Sequence, residues 1–443
     1  MTKFEFGLEW LASEVKETEH RHTMAMLELC VGNTCLTRNE DIWSQSVRDR
    51  VHVSAYPLAM WLASSWWRLM WEPLPAQGRR PTLDWRMAHE LGAANHGYVW
   101  PQIMFASDSD AIQIWAVPSN ANRGQSVNYL NGLNVHAAVP IKQFSKSVEG
   151  FISTVISRLE ALGCGDTELS ELWKLVKEEL EDPVAVKYRR LEAEMGFDPD
   201  ECPDYIMSQA LELDRRMGTD TLSELAPVYG KNEAGASISS ISDIVEAPGL
   251  WGVPEIPRIR VSGHSAHIPP WQRAVKDAAA LRASLGNKFG LLDNSNLCGL
   301  LGIREIDVEQ WEPSGRGGSA IAVPDDGKKL KFLPRKKHRV AKRFETARFV
   351  GDFILAGQSS KKWLASTDLG TYRQKYQRAF AAELLCPIEG LVSFLEGDFS
   401  ETAVEDAAQY FDVSTSTVNA LLANNGLVSS TLSLGYGEAA FPY

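Results

Sequence analysis

The longest apolar stretch of the chain, YPLAMWLASSWWRLMW from Tyr56 to Trp71, is the feature that most constrains the fold. It is shorter than the roughly 20 apolar residues that a membrane-spanning helix needs, and it contains Arg68. It therefore predicts a helix that is buried in a globular core. A chain of 443 residues, 44% of them hydrophobic, can form several such cores, and about three domains are expected.

Composition restricts the compartment and the partners. The N-terminus, MTKFEFGLEWLASEVKE, carries acidic residues in its first turns and has no small-residue cleavage site, so it does not resemble a secretory signal. We therefore expect a cytoplasmic protein that does not enter a membrane. The formal net charge of -12 opposes general adhesion to nucleic acid or to an anionic membrane, although a local basic patch can still bind either.

The six cysteines are scattered along the chain. The closest pair, Cys30 and Cys35, lacks the C-x-x-C spacing that is typical of zinc sites and redox motifs. We therefore expect reduced thiols that serve in packing, and no cofactor.

The pattern of apolar residues predicts an α+β fold that begins with a mixed domain. Residues 1–162 are rich in aromatic side chains and contain four strand-like runs, HTMAMLELCV, PQIMFAS, AIQIWAV and VHAAVPI. The polar segment ASDSDA between two of these runs predicts a hairpin turn. Apolar helices are predicted at 56–71 and at 148–162, the second with Ser145 or Ser147 as its N-cap.

Three further segments follow this domain. Residues 163–225 have a helical pattern, and the part from 166 to 224 holds 17 acidic and 7 basic residues. This composition indicates a solvated helical connector or, alternatively, an acidic partner-binding face. Residues 226–262 mix Gly, Ser and Pro, as expected of a linker. Residues 263–443 form the last predicted domain, which is mostly helical.

Four blocks of the last domain occur in an order that is typical of a known family. They are PPWQRAVKDAAALRASLG, NLCGLLGI, RFETARFVGDF and FAAELLCP. Together they resemble the ImmA/IrrE-type zinc metallopeptidases, whose active-site helix usually reads R-F-x-x-A-H-E-x-G-H and whose downstream helix usually reads F-A-A-x-L-L-M-P. The resemblance implies a metallopeptidase-like module, a degenerate zincin, that ends in a helix-turn-helix-like pair.

The active-site helix of that family depends on spacing. Histidines at i and i+4 share one helix face and bind zinc, and a glutamate between them acts as the general base. In this chain Arg348 stands at the position of the first histidine, Phe349 at that of the glutamate and Asp352 at that of the second histidine. The resemblance places a third ligand shortly before the F-A-A block, yet residues 371–382 contain no Asp or Glu. The HExxH motif is therefore degenerate, and we expect no catalytic and no metal-binding residues in it.

The exchanged residues change what this helix can bind. Arginine stays protonated and offers no lone pair, so Arg348 excludes a metal cation, and phenylalanine cannot accept a proton. Arg348 and Asp352 are spaced i and i+4, and we expect them to form an ion pair that replaces the charge balance of the metal site. Gly351 costs about 1 kcal/mol relative to alanine in a plain helix, which predicts close packing at this position.

Two other stretches are weaker candidates for a site. AHELGAANHG contains His89, Glu90 and His96, but its histidines are too far apart on a helix to ligate one ion side by side. The stretch TAVEDAAQYFDVSTSTVNALLANNG predicts a helix-turn-helix pair with Ser414 as the N-cap of the second helix. Because no Lys or Arg follows Arg378, we expect this pair to close the peptidase-like module and not to read DNA.

A basic segment, KKLKFLPRKKHRVAKRFETAR from Lys328 to Arg348, leads into the degenerate helix. Such a run is usually a solvated surface, but this one is the best candidate for contact with an acidic protein or a nucleic acid. The candidate contact residues are Lys328, Lys329, Lys331, Arg335, Lys336, Lys337, Arg339 and Lys342.

These observations lead to one preferred hypothesis and two alternatives. The preferred one is a pseudoenzyme, a non-catalytic scaffold or sensor that binds another protein; the resemblance implies a bacterial stress-regulation or phage-defence system. The first alternative is an active metallopeptidase that cleaves a regulator protein, with zinc held by unconventional ligands such as Asp352, His338 and histidines of the N-terminal domain. The second is a nucleic-acid-binding regulator that uses residues 328–348.

Overall fold

The computed structural model describes residues 2–76, 80–119, 125–231, 237–259, 268–313, 317–325 and 327–428. It combines helices with antiparallel sheets, with about 49% of the residues in helices and 16% in strands, so the predicted α+β class is confirmed. Two compact units divide between Pro203 and Asp204. No helix within the described residues combines the length and the apolar character that crossing a membrane requires.

The first unit builds three antiparallel sheets and surrounds them with helices. Its strands are β1 (Phe4–Trp10), β2 (Met24–Val31), β3 (Thr34–Cys35), β4 (Asn39–Asp41), β5 (Ser46–Arg48), β6 (Val51–Ser54), β7 (Gln102–Ser107), β8 (Ala111–Val117), β9 (Val127–Tyr129) and β10 (Ala137–Pro140). Its helices are α1 (Thr18–His22), α2 (Tyr56–Ser64), α3 (Trp66–Trp71), α4 (Leu83–His89), α5 (Ile141–Ala161), α6 (Glu168–Glu181) and α7 (Pro183–Glu194), with a 3₁₀ turn at Leu91–Ala94. In the first sheet β2 pairs with β1, β3 and β6; β8 lies between β7 and β10, and β4 lies between β5 and β9.

The apolar stretch at 56–71 lies in the core of this unit, as predicted, but it forms two helices that separate at Ser65. Trp67 is buried there, and so is Arg68. The Arg68 Nε donates to a carboxylate oxygen of Glu72 at 2.7 Å. The buried guanidinium is thus paired within the core, which offsets the cost of removing its charge from water.

The other predicted elements of this unit are largely present. The four strand-like runs form β2, β7, β8 and β10, and the polar turn between β7 and β8 holds Ser109 at a φ of 76°. The helix predicted at 148–162 begins earlier, at Ile141, and its N-cap is Pro140 and not a serine. The N-cap prediction was therefore wrong: proline fixes the backbone at the true start, and the serines lie inside the helix.

The second unit places helices around one antiparallel sheet. Its strands are β11 (Leu250–Gly252), β12 (Ser319–Pro324), β13 (Leu330–Leu333) and β14 (Leu364–Thr367), in the order β11-β13-β12-β14. Its helices are α8 (Asp204–Met217), α9 (Thr219–Tyr229), α10 (Ser240–Glu246), α11 (Pro270–Ser284), α12 (Asn294–Leu300), α13 (Glu305–Gln310), α14 (Arg339–Leu355), α15 (Tyr372–Leu385), α16 (Ile388–Leu395), α17 (Glu401–Phe411) and α18 (Thr415–Asn424).

The segments that the sequence presents as connector and linker are part of these units. In 163–225, α6 and α7 belong to the first unit, where Trp173 is buried, and α8 and α9 belong to the second. Each of these helices has an apolar face, and burial of that face draws it into a core. Within 226–262, β11 pairs with β13 and extends the sheet of the second unit; residues 232–236 and 260–262 lie outside the described residues.

The four sequence blocks of the last domain form α11, α12, α14 and α15. Gly351 lies where α14 meets α15, and a Cβ atom at this position would lie 2.7 Å from the ring atom Cδ1 of Phe380. The close packing predicted at Gly351 is therefore confirmed. α17 and α18 form the predicted helix pair, and the Ser414 side chain accepts a hydrogen bond from the backbone N–H of Thr417 as the N-cap of α18.

Candidate functional site

The block RFETARFVGDF, which resembles the active-site helix of the family, lies in the interior of the second unit. Every residue of α14 from Glu345 to Ile354 is buried, whereas a surface helix buries only one face. Arg348 is 4% and Asp352 is 1% exposed. Because buried charges are costly unless they are paired, both side chains require partners inside the protein.

Arg348 is hydrogen-bonded by uncharged oxygens, and its Nη1 lies 4.0 Å from the Asp368 carboxylate. Its Nη2 donates to the carbonyl oxygen of Thr367 at 2.6 Å and to Oε1 of Gln374. Burial lowers the pKa of Arg348 to about 9, and the charges of Arg378 and Arg335 add to this effect. The guanidinium is therefore still charged at neutral pH, and it repels a metal cation.

Phe349, at the position of the family's general base, belongs to the hydrophobic core. It is 2% exposed and packs edge-to-face on Phe332 of β13, with the ring centroids 5.4 Å apart. A benzyl side chain in this position can neither accept nor donate a proton.

Asp352 pairs with Arg373 of α15, so the predicted ion pair with Arg348 was wrong. Arg373 Nε lies 2.7 Å from Asp352 Oδ1, and Arg373 Nη2 lies 2.8 Å from Oδ2. The backbone N–H of Ala365 also donates to Oδ2, at 3.0 Å. Asp352 pairs with Arg373 and not with Arg348 because Arg373 reaches both oxygens of the Asp352 carboxylate. Two parallel hydrogen bonds are the strongest geometry for such a pair.

Gln374 connects these residues to the backbone and to a second carboxylate. Its Oε1 accepts from Arg348 and from the N–H of Thr367, the latter at 2.8 Å. Its Nε2 donates to the carbonyl oxygen of Ala365 at 3.0 Å and to Glu224 Oε2 at 2.9 Å. The hydrogen-bonding capacity of this side-chain amide is fully used.

Glu224 brings α9 into the same network. It is 3% exposed and also accepts from the Thr371 hydroxyl at 2.6 Å. Burial raises the pKa of Glu224, although the Arg373 charge opposes this shift. The backbone of Ala365 accepts from Gln374 and donates to Asp352, and it thereby joins the Glu224–Gln374–Arg348 hydrogen bonds to the Asp352–Arg373 pair. We call these five side chains, from helices α9, α14 and α15, the buried network.

The buried network does not fit the zinc ion that the resemblance implies. Zinc takes three or four nitrogen, sulfur or oxygen ligands at about 2.0–2.3 Å. Within the described part of the chain, neither Asp352 nor His338 belongs to a group of three ligand-type side chains whose atoms lie within 4.8 Å of one another. His338 is exposed at the N-cap position of α14, and both Asp352 oxygens accept from other groups.

The eight basic residues predicted as contacts are divided between the interior and the surface. Lys331 and Lys342 donate to backbone carbonyl oxygens at 2.7 and 2.6 Å. The Arg335 side chain is 6% exposed and pairs with Glu345 and Asp368. These three side chains make contacts within the second unit that stabilise it.

The remaining five lie at the surface. Lys328, Lys329 and Lys337 are exposed. The Lys336 side chain is 38% exposed and lies 3.9 Å from Asp368, and Arg339 pairs with Asp412. The exposed positive charge is therefore smaller than the composition of residues 328–348 suggests.

A cavity of about 380 Å³ lies beside α14, within the second unit. Its lining combines basic, apolar and hydroxyl groups with one carboxylate residue, and it includes Lys336, His338, Phe344, Glu345, Arg348 and Ser414. The Nε of Arg348 has no hydrogen-bond acceptor among the described residues, but this atom is buried. What the cavity offers to a molecule that enters it is a lysine, an imidazole and hydroxyl groups beside an apolar wall.

The stretch AHELGAANHG, which contains His89 and His96, has a structural role. His89 is fully buried at the end of α4, with Nε2 at 2.9 Å from Glu72 and Nδ1 at 3.0 Å from the carbonyl oxygen of Phe105. α4 ends at His89, so His96 is not on the same helix.

Three residues of the buried network were missed from the sequence. Arg373 and Gln374 lie within residues 371–382, for which the resemblance predicts only an acidic third ligand. A basic residue one to two turns before the F-A-A block was the signal that could have identified a partner for Asp352. No local signal marks Glu224, which is distant in sequence.

No family model, curated protein or solved structure matches this chain. The resemblance to the ImmA/IrrE family therefore depends on the four sequence blocks alone. The buried network itself can hold three helices together, and both of its carboxylates accept hydrogen bonds from other side chains.

Proposed function

We propose that residues 263–443 are a degenerate metallopeptidase-like module that acts without catalysis, as a scaffold or sensor that binds another protein. The observation that carries this proposal is the pairing of Asp352, which stands at a zinc-ligand position of the resembled family, with Arg373. Freeing Asp352 for a metal would leave the guanidinium buried and unpaired, which costs about 3–5 kcal/mol.

The other exchanges support the same proposal. Arg348 brings a positive charge to the first ligand position, and Phe349 fills the position of the base with core packing. At the same time Gly351 keeps the close contact between α14 and α15. The helix packing of the module is thus maintained by residues that do not serve the reaction.

We further propose that the partner engages the cavity beside α14. Lys336 and His338 supply polar groups at this cavity, and Phe344 supplies apolar surface. A protein segment that carries an acidic or carbonyl group next to an apolar side chain fits this lining.

The cellular role is proposed from the resemblance. Family members typically cleave repressor-like partners under stress or occur in mobile-element and defence loci. A module that keeps the recognition surface and loses the reaction would bind such a partner without cutting it. We therefore propose a cytoplasmic protein of a bacterial stress-regulation or antiviral defence system.

Loss of catalysis is tested with the full chain, treated with chelator and then reloaded with zinc. We expect no hydrolysis of peptide or protein substrates beyond the rate in chelator. Because Asp352→Asn can unfold the unit, His338→Ala at an exposed position serves as a second variant. Zinc-dependent hydrolysis that either substitution abolishes would contradict the proposal and favour the unconventional metallopeptidase.

Partner binding is tested by co-purification from native extract with quantitative mass spectrometry. Lys336→Glu alters the cavity, and Lys328→Glu makes the same charge change at the exposed turn between β12 and β13. We expect the first variant to lose a partner that the wild type and the second variant retain. Equal recovery of the partner with both variants would show that the partner does not bind at the cavity.

A further inference from the structure

Three side chains with metal-binding atoms meet in the first sheet of the N-terminal unit. Glu28 and Cys30 lie two residues apart on β2 and therefore project from the same face. Cys30 is the direct cross-strand partner of Cys35 on β3. The tight turn between these strands contains Gly32 at a φ of 58°, which favours glycine. The strand pairing thus brings the two thiols next to each other, although their spacing in the sequence does not suggest a metal site.

The three ligand atoms are close enough to share one ion. The Sγ atoms of Cys30 and Cys35 each lie 3.9 Å from Oε1 of Glu28. All three atoms lie within 4.8 Å of one another, and all three residues are half-buried. Two sulfurs at about 2.3 Å and one oxygen at about 2.0–2.2 Å from a tetrahedral ion would have similar separations from one another.

Neighbouring residues orient the carboxylate. Arg50 Nε lies 3.3 Å from Oε2 of Glu28, the oxygen that does not face both thiols, and Arg50 Nη1 binds Glu9 at 2.8 Å. Gly7 stands opposite Glu28 on β1, where a Cβ atom would lie 3.1 Å from Oε2. Such contacts around a ligand fix its direction and are typical of built metal sites.

The surroundings also provide access. Glu28 and Cys30 line a groove of about 690 Å³ between β1 and α5, which also includes Gly7 and Phe151. An ion and a water molecule can therefore reach Glu28 and Cys30 from this side.

A carboxylate beside two thiols argues against a role in packing alone, because thiols that serve only in packing favour apolar neighbours. The Cys35 Sγ also lies 3.0 Å from the carbonyl oxygen of Asp49 and 3.3 Å from the Thr37 hydroxyl. Two sulfurs with one carboxylate oxygen form a donor set that zinc accepts, with the fourth position open to water.

We propose that Glu28, Cys30 and Cys35 bind one thiophilic divalent metal ion of the zinc class. Binding uses two thiolates and one carboxylate oxygen, and it releases the two thiol protons to solvent. Within the described residues this is the one group of three such side chains, and it lies in the N-terminal unit, apart from the degenerate motif.

The test uses cobalt(II) as a coloured substitute for zinc, added to the reduced, chelator-treated full chain. We expect one equivalent to bind, with the thiolate-to-cobalt charge-transfer absorption that only a cysteine ligand produces, and we expect zinc to displace it. Cys30→Ser and Cys35→Ser should each abolish this absorption. Glu28→Gln, which keeps both thiols, should weaken cobalt binding by at least about tenfold. Cys164→Ser, a half-buried cysteine outside the group, is the matched control and should bind cobalt as the wild type does.

Three results would overturn the proposal. The first is a reduced wild-type protein, with both thiols shown to be free by alkylation, that gives no charge-transfer absorption. The second is an equal loss of absorption in Cys164→Ser. The third is a disulfide between Cys30 and Cys35 that, once reduced, leaves a protein unable to bind cobalt. Thermal melting of each metal-free variant shows whether a lost cobalt absorption comes from unfolding. If a serine variant unfolds, Glu28→Gln still tests the proposal, because it keeps both thiols.

Discussion

Asp352 and Arg373 join α14 to α15 through two parallel hydrogen bonds of 2.7 and 2.8 Å, in a part of the protein where Asp352 is 1% exposed. The pair lies where the resembled family has a zinc ligand. A metal site and an ion pair can both join two helices, because each brings opposite charges together in the protein interior. In this protein Asp352 and Arg373 supply these opposite charges.

We expect Asp352→Asn to lower the free energy of unfolding by about 3–5 kcal/mol, because it leaves the Arg373 charge buried without its partner. Chemical denaturation of the variant and the wild type measures this difference. Asp307→Asn removes the carboxylate of a surface pair with Arg304 and is the control, for which little change is expected. Similar stability of Asp352→Asn and the wild type would contradict the assigned pairing.

A double-mutant cycle separates the observed pair from the pair that helical spacing predicts. We expect a coupling free energy of roughly 1–3 kcal/mol between Asp352→Asn and Arg373→Met, and a smaller one between Asp352→Asn and Arg348→Met. The reverse order would show that Arg348 is the partner of Asp352 in solution.

Gly351→Ala should destabilise the protein by about 1–3 kcal/mol, although alanine is the better helix former, because the added methyl group meets the Phe380 ring. Gly150→Ala in α5 is the matched control, since no atom lies within 4 Å of its added Cβ and the site is exposed. The control should be stabilised by about 0.5–1 kcal/mol. Thermal melting of both variants measures the contrast, and a stabilised Gly351→Ala would argue against close packing.

Glu383 on α15 should make stability depend on pH. Burial raises the pKa of Glu383 to about 7, against the opposing effects of the Ile388 N–H and the Arg282 charge. Between its ordinary pKa of 4.5 and pH 7 the folded protein therefore holds a proton that the unfolded chain releases, so stability falls as the pH rises through this window. The full effect is about 3 kcal/mol.

Glu383→Gln removes this titration. We expect the variant to match the wild type near pH 5 and to exceed its stability near pH 8, because no buried carboxylate then ionises. Denaturation at both pH values gives the comparison, with Glu405→Gln at an exposed site of α17 as the control. An equal difference at both pH values would show that Glu383 does not hold the proton.

Reversal of the charges of Lys336 and Lys337 should leave retention of the full chain on DNA or RNA unchanged. The reason is that Lys331, Arg335 and Lys342 of the same segment are engaged inside the protein, so few phosphates can be contacted. Retention measured at several salt concentrations provides the check. Strong binding that the double variant weakens, with a smaller dependence on salt, would favour the nucleic-acid-binding alternative.

Local signals predicted much of the fold. The strand-like runs, the hairpin turn at Ser109, the helices of the four blocks and the Ser414 cap are all present. These features depend on the alternation of nearby residues and on backbone preferences, which the sequence states directly. The start of α5 was misplaced because serines within the helix resemble caps, while the true start follows Pro140.

The candidate site could be predicted only in part. The resemblance of the sequence blocks predicted that Arg348, Phe349 and Asp352 stand at the three catalytic positions of the family's helix, and the glycine in that helix predicted the close packing at Gly351. The partner of Asp352 could not be predicted from the sequence. The choice between Arg348 and Arg373 depends on how two helices pack and not on the order of residues within one helix. The same holds for Cys30 and Cys35, whose proximity is created by a strand pairing.

The position of Glu224 in the buried network has a practical consequence for anyone who wishes to produce the C-terminal part alone. A fragment that begins at residue 263 would lack α9, so Thr371 and Gln374 would lose their carboxylate acceptor and Ser319 would lose the hydroxyl of Tyr229. The sensible place to cut is ahead of α8, near residue 204, where the chain passes from one compact unit to the next.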